Sequence, residues 1–188
     1  MFHPILLLLG FWYFLPTYVA NGFAVFGKFI RPRHTIDGGR ILEDGQPVFG
    51  PGKTWEGFIV GFVAGVLIGL LQIVTAPILL SIIVQYVYLP PELVPIVLIT
   101  LPLVILVALG ALVGDLVGSF IKRRFMIARG RPAPLLDQLD FLIGAMLLGA
   151  LITPIHWVLA IFMVILTPII HLAANIIGYL IGLKQEPW

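Results

Sequence analysis

Three aspartates frame one short basic segment of this chain. Asp115 stands before it, Asp137 and Asp140 close it, and Lys122, Arg123, Arg124, Arg129 and Arg131 lie between. A helix running on past Asp115 places Ser119 at i+4, Lys122 at i+7 and Arg123 at i+8, a hydroxyl and two cations behind an acid. Asp137 and Asp140, spaced i,i+3, also share a face. Mg²⁺ takes a few carboxylate oxygens together with waters and substrate phosphates rather than a full protein cage. The cations suit non-bridging phosphate oxygens. The expected chemistry is therefore that of a metal-bound phosphate, with Asp115, Asp137 and Asp140 on Mg²⁺.

Structural roles compete for the same residues. Asp137 at a helix start can serve as an N-cap, and Asp140 as a favourable charge in a first turn. Lys122, Arg123 and Arg124 can act as topology determinants that reach anionic headgroups. Asp115 has no such reading, because an acid at the C-terminal end of a span meets an unfavourable helix dipole.

A second polar segment reads "NGFAVFGKFIRPRHTIDGGRILEDGQPVFGPGKTWEG". Gly52-Lys53-Thr54 matches the end of a Walker pattern, but Pro47 stands where its first glycine belongs and no hydrophobic strand precedes it. A P-loop NTPase is excluded. Lys53 and Thr54 still fall at a helix N-terminus, where amides and dipole favour an anion; a basic anchor with a Thr N-cap is the alternative. Asn21-Gly22 reads as a helix C-cap, or else as a polar group for a base edge. His34 is expected to be solvated, and His156 and His171 lack partners at metal-ligand spacing.

These residues need a scaffold, and composition says which. Hydrophobic residues make up 60% of the chain and charged ones 11%, against roughly 45–50% and 25% in soluble domains. The reading is a single all-α, polytopic membrane bundle. The chain has no cysteine, which excludes disulfides, thiolate metal sites and thiol catalysis. The start, "MFHPILLLLGFWYFLP", has no basic n-region or small-residue cleavage site, so it is expected to be a retained span.

Five spans are expected, at about residues 3–21, 57–75, 93–113, 139–155 and 158–181, each near the length a bilayer needs. Ala76-Pro77 is taken to divide the second apolar stretch, leaving 78–89 as a helix extension or outer surface segment. With five spans the loops 22–56 and 114–138 share one side with the tail. That side then carries all eleven basic residues: Lys28, Arg31, Arg33, Arg40 and Lys53, the five bases of the second loop, and Lys184. The excess of lysine and arginine puts both loops and the C-terminus in the cytoplasm and the N-terminus outside. Glycine-rich and aromatic span faces read as helix packing and lipid anchors. No internal repeat and no mid-span acid argue for a transporter.

The second loop resembles the signature region of membrane cytidylyltransferases that make CDP-activated lipids. The shared features are Gly114-Asp115, Ser119, Lys122-Arg123 and the ending Asp137-Gln138-Leu139-Asp140. The chain departs from the bacterial phosphatidate version at "ARGRPAPLL" and at Gln138. Its length and its first loop, of the type DGxxxxGPGKTxxG, look more like the archaeal branch, the CDP-archaeol synthases. The resemblance implies CMP transfer from CTP to an isoprenoid ether lipid phosphate at the cytoplasmic face of the cell membrane, with no nucleic-acid partner. It implies Asp115, Lys122, Asp137 and Asp140 as the catalytic set. Lys53, Thr54, Ser119, Lys122 and Arg123 would serve the phosphates, and Asn21 with the 37–52 loop the base and ribose. Two other classes stay open. A CDP-alcohol phosphotransferase would use Mg²⁺ and aspartates, but only "DGGR" of its motif is present. A transporter or scaffold would explain the hydrophobicity but not three aspartates around a basic loop.

Overall fold

A computed structural model describes residues 5–183; Lys184, which the sidedness argument uses, lies outside the described residues. The elements are α1 (Ile5–Phe23), continued by a 3₁₀ segment (Ala24–Phe29), α2 (Trp55–Tyr86), a short α3 (Val94–Val97), α4 (Leu101–Arg124), α5 (Leu136–Gly149) and α6 (Trp157–Leu180). The described residues contain no strand beyond isolated bridges, Thr35 with Thr54 and Ile41 with Pro47. The all-helical class read from composition agrees with this.

Four helices, α1 with its extension, α2, α4 and α6, are long and apolar enough to cross a membrane. The 14-residue α5 rises only about 21 Å, less than the ~30 Å of a hydrocarbon core. It starts earlier than expected, at Leu136, and ends at Gly149, and residues 150–156 continue without helix. Pro77 does not divide α2, which runs through it for 32 residues, so 78–86 is a helix extension. The third expected span is displaced as well. Thr100 is extended and Pro102 sits in the first turn, so α4 begins at Leu101, where the missing proline N–H costs nothing. It then continues past Asp115 to Arg124, carrying Ser119 and Lys122 on the acid's helix.

Glycines set how closely these helices approach. Lipid tails are as apolar as leucine, so helices in a bilayer associate through packing and hydrogen bonds rather than a hydrophobic gain. On α2, a Cβ at Gly65 would stand 2.9 Å from Pro16 O and 3.0 Å from Ala108 Cβ, and one at Gly61 would strike Ala20 O. On α4, a Cβ at Gly110 would strike Gly144 O and one at Gly114 would strike Asp140 O. The α4 and α5 backbones therefore touch, and that contact brings the two ends of the basic segment together.

Proline shapes the remaining core. Pro16 has no N–H for the carbonyl of Trp12, one turn earlier in α1. The buried Gln72 side chain of α2 supplies the donor, Nε2 to Trp12 O at 2.7 Å. The Trp12 indole donates to Val97 O at 2.9 Å, and the Tyr13 hydroxyl donates to Thr153 O at 2.8 Å, tying the turn after α5 to α1.

Candidate functional site

At one end of the bundle, two lysines meet two of the three aspartates. Lys53, just before α2, donates from Nζ to Asp115 Oδ2 on α4 at 2.5 Å. Lys122 on α4 donates to Asp137 of α5 at 2.8 and 3.0 Å. Asp137 Oδ2 also accepts from Ala133 N–H at 2.9 Å. Asp140 differs. Its Oδ1 accepts from the Phe141 amide at 2.6 Å, and among the described residues it belongs to no ion pair. Three carboxyl groups and two ammonium groups thus meet here, and Asp140 is the carboxyl group without a lysine.

All of these groups line one cavity of about 850 Å³. Asn21, Thr54 and Ser119 line it too, together with apolar residues of α1 and α6 such as Leu15, Val19, Ile170 and Ala174. Eight of the nine residues singled out from the sequence therefore meet at one place. The ninth, Arg123, does not line the cavity. At about 100° per residue, Lys122 lies roughly 20° from Asp115 around the helix and Arg123 about 80° away. Arg123 instead approaches the first loop, with Cδ 4.0 Å from the position a Cβ would take at Gly50.

Several local readings need correction. Asn21 is not a C-cap, because α1 runs on to Phe23. Asp137 is not the N-cap of α5; Leu135 holds that position at φ 66°, and its N–H is taken by Gln138 Oε1 at 3.0 Å. Thr54 does cap α2, accepting from Gly57 N–H at 3.2 Å. Of the 37–52 loop assigned to base and ribose, only Gly52 reaches the cavity. The reason is that the loop closes on itself. Asp37 accepts from the amides of Gly39, Phe49 and Gly50 at 2.9–3.0 Å. Partial burial pushes its carboxyl up, but hydrogen bonds from Gly50, Phe49, Gly39 and the Thr35 hydroxyl outweigh that and hold it below the ordinary 3.8. Arg124 then pins the loop to the end of α4, through Asp44 Oδ2 and Pro47 O, each at 2.6 Å.

Sequence reasoning missed these positioning contacts. His34, read as solvated, is largely exposed, yet its Nδ1 lies 2.7 Å from Glu56 Oε1. Its carbonyl accepts from Trp55 N–H at 2.9 Å, and Ile36 N–H donates to Lys53 O at 2.9 Å, so the contact holds the strand-like piece that aims Lys53. His156 caps α6, its Nδ1 accepting from Val158 N–H at 3.3 Å.

The three aspartates are not gathered into a ready metal site. Among the described residues no three His, Cys, Asp or Glu side chains form a group that could hold a metal ion.

Fold and site together define a polytopic helical membrane protein with one cavity lined by charged and apolar side chains. Comparison with known proteins narrows this. A sequence model described as "CarS-like: CDP-archaeol synthase" matches residues 2–188. A CDP-archaeol synthase of Pyrobaculum calidifontis is 44% identical over 92% of this chain and 93% of its own. One of Methanocaldococcus jannaschii is 41% identical over 97% and 98%. A solved structure of an intramembrane enzyme for archaeal membrane lipids biosynthesis superposes with a TM-score of 0.67, at 36% identity, covering 88% of this chain and 92% of that one. The chain belongs to the CDP-archaeol synthase family.

Proposed function

We propose that the protein is a membrane cytidylyltransferase that transfers CMP from CTP to an archaeal isoprenoid ether lipid phosphate, forming CDP-archaeol and pyrophosphate. Family membership supports the reaction. The observation that carries the site assignment is the pair of Lys–Asp contacts, 53 with 115 and 122 with 137, on one cavity lined by both charged and apolar side chains.

In this reading a non-bridging oxygen of the lipid phosphate attacks the α-phosphorus of CTP, the bond to the β-phosphate oxygen breaks, and pyrophosphate leaves. The attacking oxygen is already ionised, so neither a general base nor a protein nucleophile is needed. Catalysis rests on alignment and on stabilising charge in a water-poor site. Lys53 and Lys122 exchange their carboxylate partners for phosphate oxygens, and the Thr54 and Ser119 hydroxyls and Asn21 complete the polar wall. Asp115, Asp137 and Asp140 would hold Mg²⁺, which supplies Lewis-acid neutralisation of the triphosphate. Arg123 has no place in this set.

The same reading places the cavity on the cytoplasmic side of the cell membrane, with five crossings and the N-terminus outside. Connectivity supports it. Lys28 Nζ donates to Leu183 O at 2.6 Å, so α6 ends beside the end of α1 at the polar pole. The segment 136–156 must then carry the chain away from that pole, part as helix and part as the turns and irregular backbone of 150–156. Detergent-purified protein with CTP and Mg²⁺ should release pyrophosphate with archaetidic acid. Release with phosphatidic acid alone would transfer the chemistry to another lipid, and release with neither would remove the proposal.

A further inference from the structure

Two guanidinium groups that the site described above does not use flank the turn leading to Lys53. Lys53 N–H donates to Gly50 O at 3.1 Å, closing residues 50–53 into a β-turn with Pro51 and Gly52 at its central positions. The position a Cβ would take at Gly52 lies 3.8 Å from Arg129 Nε and 4.0 Å from its Nη2. Gly52 lines the cavity, so this guanidinium stands beside the cavity wall. On the Gly50 side of the turn lies Arg123, whose Nε is buried without a hydrogen-bond partner among the described residues. Arg129 is exposed, and among the described residues its side chain enters no ion pair or hydrogen bond. Two carboxylates of the first loop are engaged elsewhere, Asp37 by three amides and Asp44 by Arg124.

Backbone geometry brings Arg129 to this place. The end of α4 closes in a Schellman pattern, Ile127 N–H donating to Lys122 O and Met126 N–H to Arg123 O, each at 3.0 Å. Met126 takes the left-handed position, φ 56°, where glycine is usual. A second turn follows at once, with Arg131 N–H donating to Ala128 O at 3.1 Å and Gly130 at φ 78°, and it carries Arg129. A guanidinium offers paired donors that match two phosphate oxygens at a time. Lys53 directly follows Gly52, so a phosphate held by Lys53 has Arg129 alongside. We infer that Arg129 binds the β- and γ-phosphates of CTP and holds them as they depart as pyrophosphate. When the bond between the α-phosphorus and the bridging oxygen breaks, its electron pair stays on that oxygen, and the fork offsets the charge the leaving group gains.

This rests on the function proposed above, and the test separates the two. In the full-length chain, Arg129→Gln should raise KM for CTP and the inhibition constant for pyrophosphate about tenfold each, the scale of a lost hydrogen bond between charged groups. KM for lipid phosphate should stay unchanged. Arg129→Lys should restore only part of the loss, because a lysine lacks the fork. Arg131→Gln removes another exposed charge from the same segment and should change none of these constants. An effect equal to that of Arg129→Gln would reduce the role to general attraction and overturn the inference. Melting of the detergent-solubilised protein gives a second readout free of turnover. Pyrophosphate should raise the wild-type midpoint and not that of Arg129→Gln, while CMP should raise both alike. A pyrophosphate shift that is equal in the two proteins, or absent from both, overturns the inference, as does loss of the CMP shift in Arg129→Gln. A wild-type chain that melts higher with pyrophosphate but transfers no CMP would sink the proposed reaction and keep the pyrophosphate site.

Discussion

Gly118 should control activity more than it controls the fold. It lies on α4 one turn beyond Gly114, and a Cβ built there collides with the Asp140 carboxylate, standing 2.7 Å from Cγ and 2.8 Å from Cβ. Ordinary contact begins near 3.4 Å, so Gly118→Ala must move the Asp140 carboxyl carbon by about 0.7 Å. Rotation about χ1 can move the Asp140 carboxyl group aside, but its Cβ at 2.8 Å yields only to a small shift of the α5 backbone. At Gly114 the obstacle is backbone, Asp140 O, with Phe141 Cα at 3.1 Å, and relief requires prising α5 from α4. Misplacing a reacting constellation by about 1 Å costs on the order of 100-fold in rate. Gly118→Ala is therefore expected to lower kcat for CDP-lipid formation by roughly 10- to 100-fold, with a smaller loss of thermal stability in detergent than Gly114→Ala. Gly114→Ala is expected to lose both. CMP transfer measured with radiolabelled CTP, beside a melting curve for each variant, decides the matter. Wild-type kcat in Gly118→Ala would refute the placement of Asp140 at the reaction centre. Equal loss of stability in both variants would refute the distinction between side-chain and backbone obstruction.

The Lys122–Asp137 contact should behave as one unit, so that Lys122→Met with Asp137→Asn costs little more than the worse single change; full additivity in kcat/KM would show that the two act separately. Chelation with EDTA should stop pyrophosphate release and Mg²⁺ should restore it, with Asp140→Asn shifting the required Mg²⁺ upward; turnover in EDTA would dismiss the metal. Asp37 gives a pH signature. Its carboxyl is held below 3.8 in the fold, so the unfolded chain binds the proton more readily and stability rises with pH through that window. The stabilisation is complete above the unfolded value and lost as pH falls through the lowered one. Wild type should thus resist proteolysis of the 37–50 loop at neutral pH and lose that resistance below about pH 4, whereas Asp37→Asn should be cleaved at both; equal cleavage of the two proteins at pH 7 would count against the loop-closing role.

What the sequence disclosed, and what it hid, follows from the range of the interactions. Asp115, Ser119 and Lys122 share a helix, and helical spacing alone puts them on one face, as the cavity shows. Arg123 was miscast because eight residues do not complete a whole number of turns. The meeting of Lys53 with Asp115 spans 62 positions and has no local signature, although the helix-start reading of Gly52-Lys53-Thr54 put the lysine at the right end of its element. Helix ends were less readable. Pro77 looked like a break, but a bilayer offers the backbone no competing partner, and a membrane helix carries a proline that would end a soluble one. Conversely, the stop of α5 at Gly149 lies in a stretch whose uncharged composition suggested a full span.

The short α5 and the glycine contacts have one consequence in common. A full-length span packed through leucine would hold α4 and α5 some 8–10 Å apart, and the aspartates on the two helices would face each other across apolar side chains. Backbone contact at Gly110, Gly114 and Gly144 removes that spacing and lets Asp140 meet the same cavity as Asp115 and Lys122. Resting charge then falls into place, since each lysine neutralises a carboxylate until a triphosphate offers stronger oxygens. Phosphates taking the lysines would release Asp115 and Asp137 to join Asp140 around a cation, so nucleotide and metal should each tighten binding of the other. That coupling is reciprocal by thermodynamic necessity. Lys53→Gln and Lys122→Met should weaken CTP binding and also the dependence of Mg²⁺ binding on CTP.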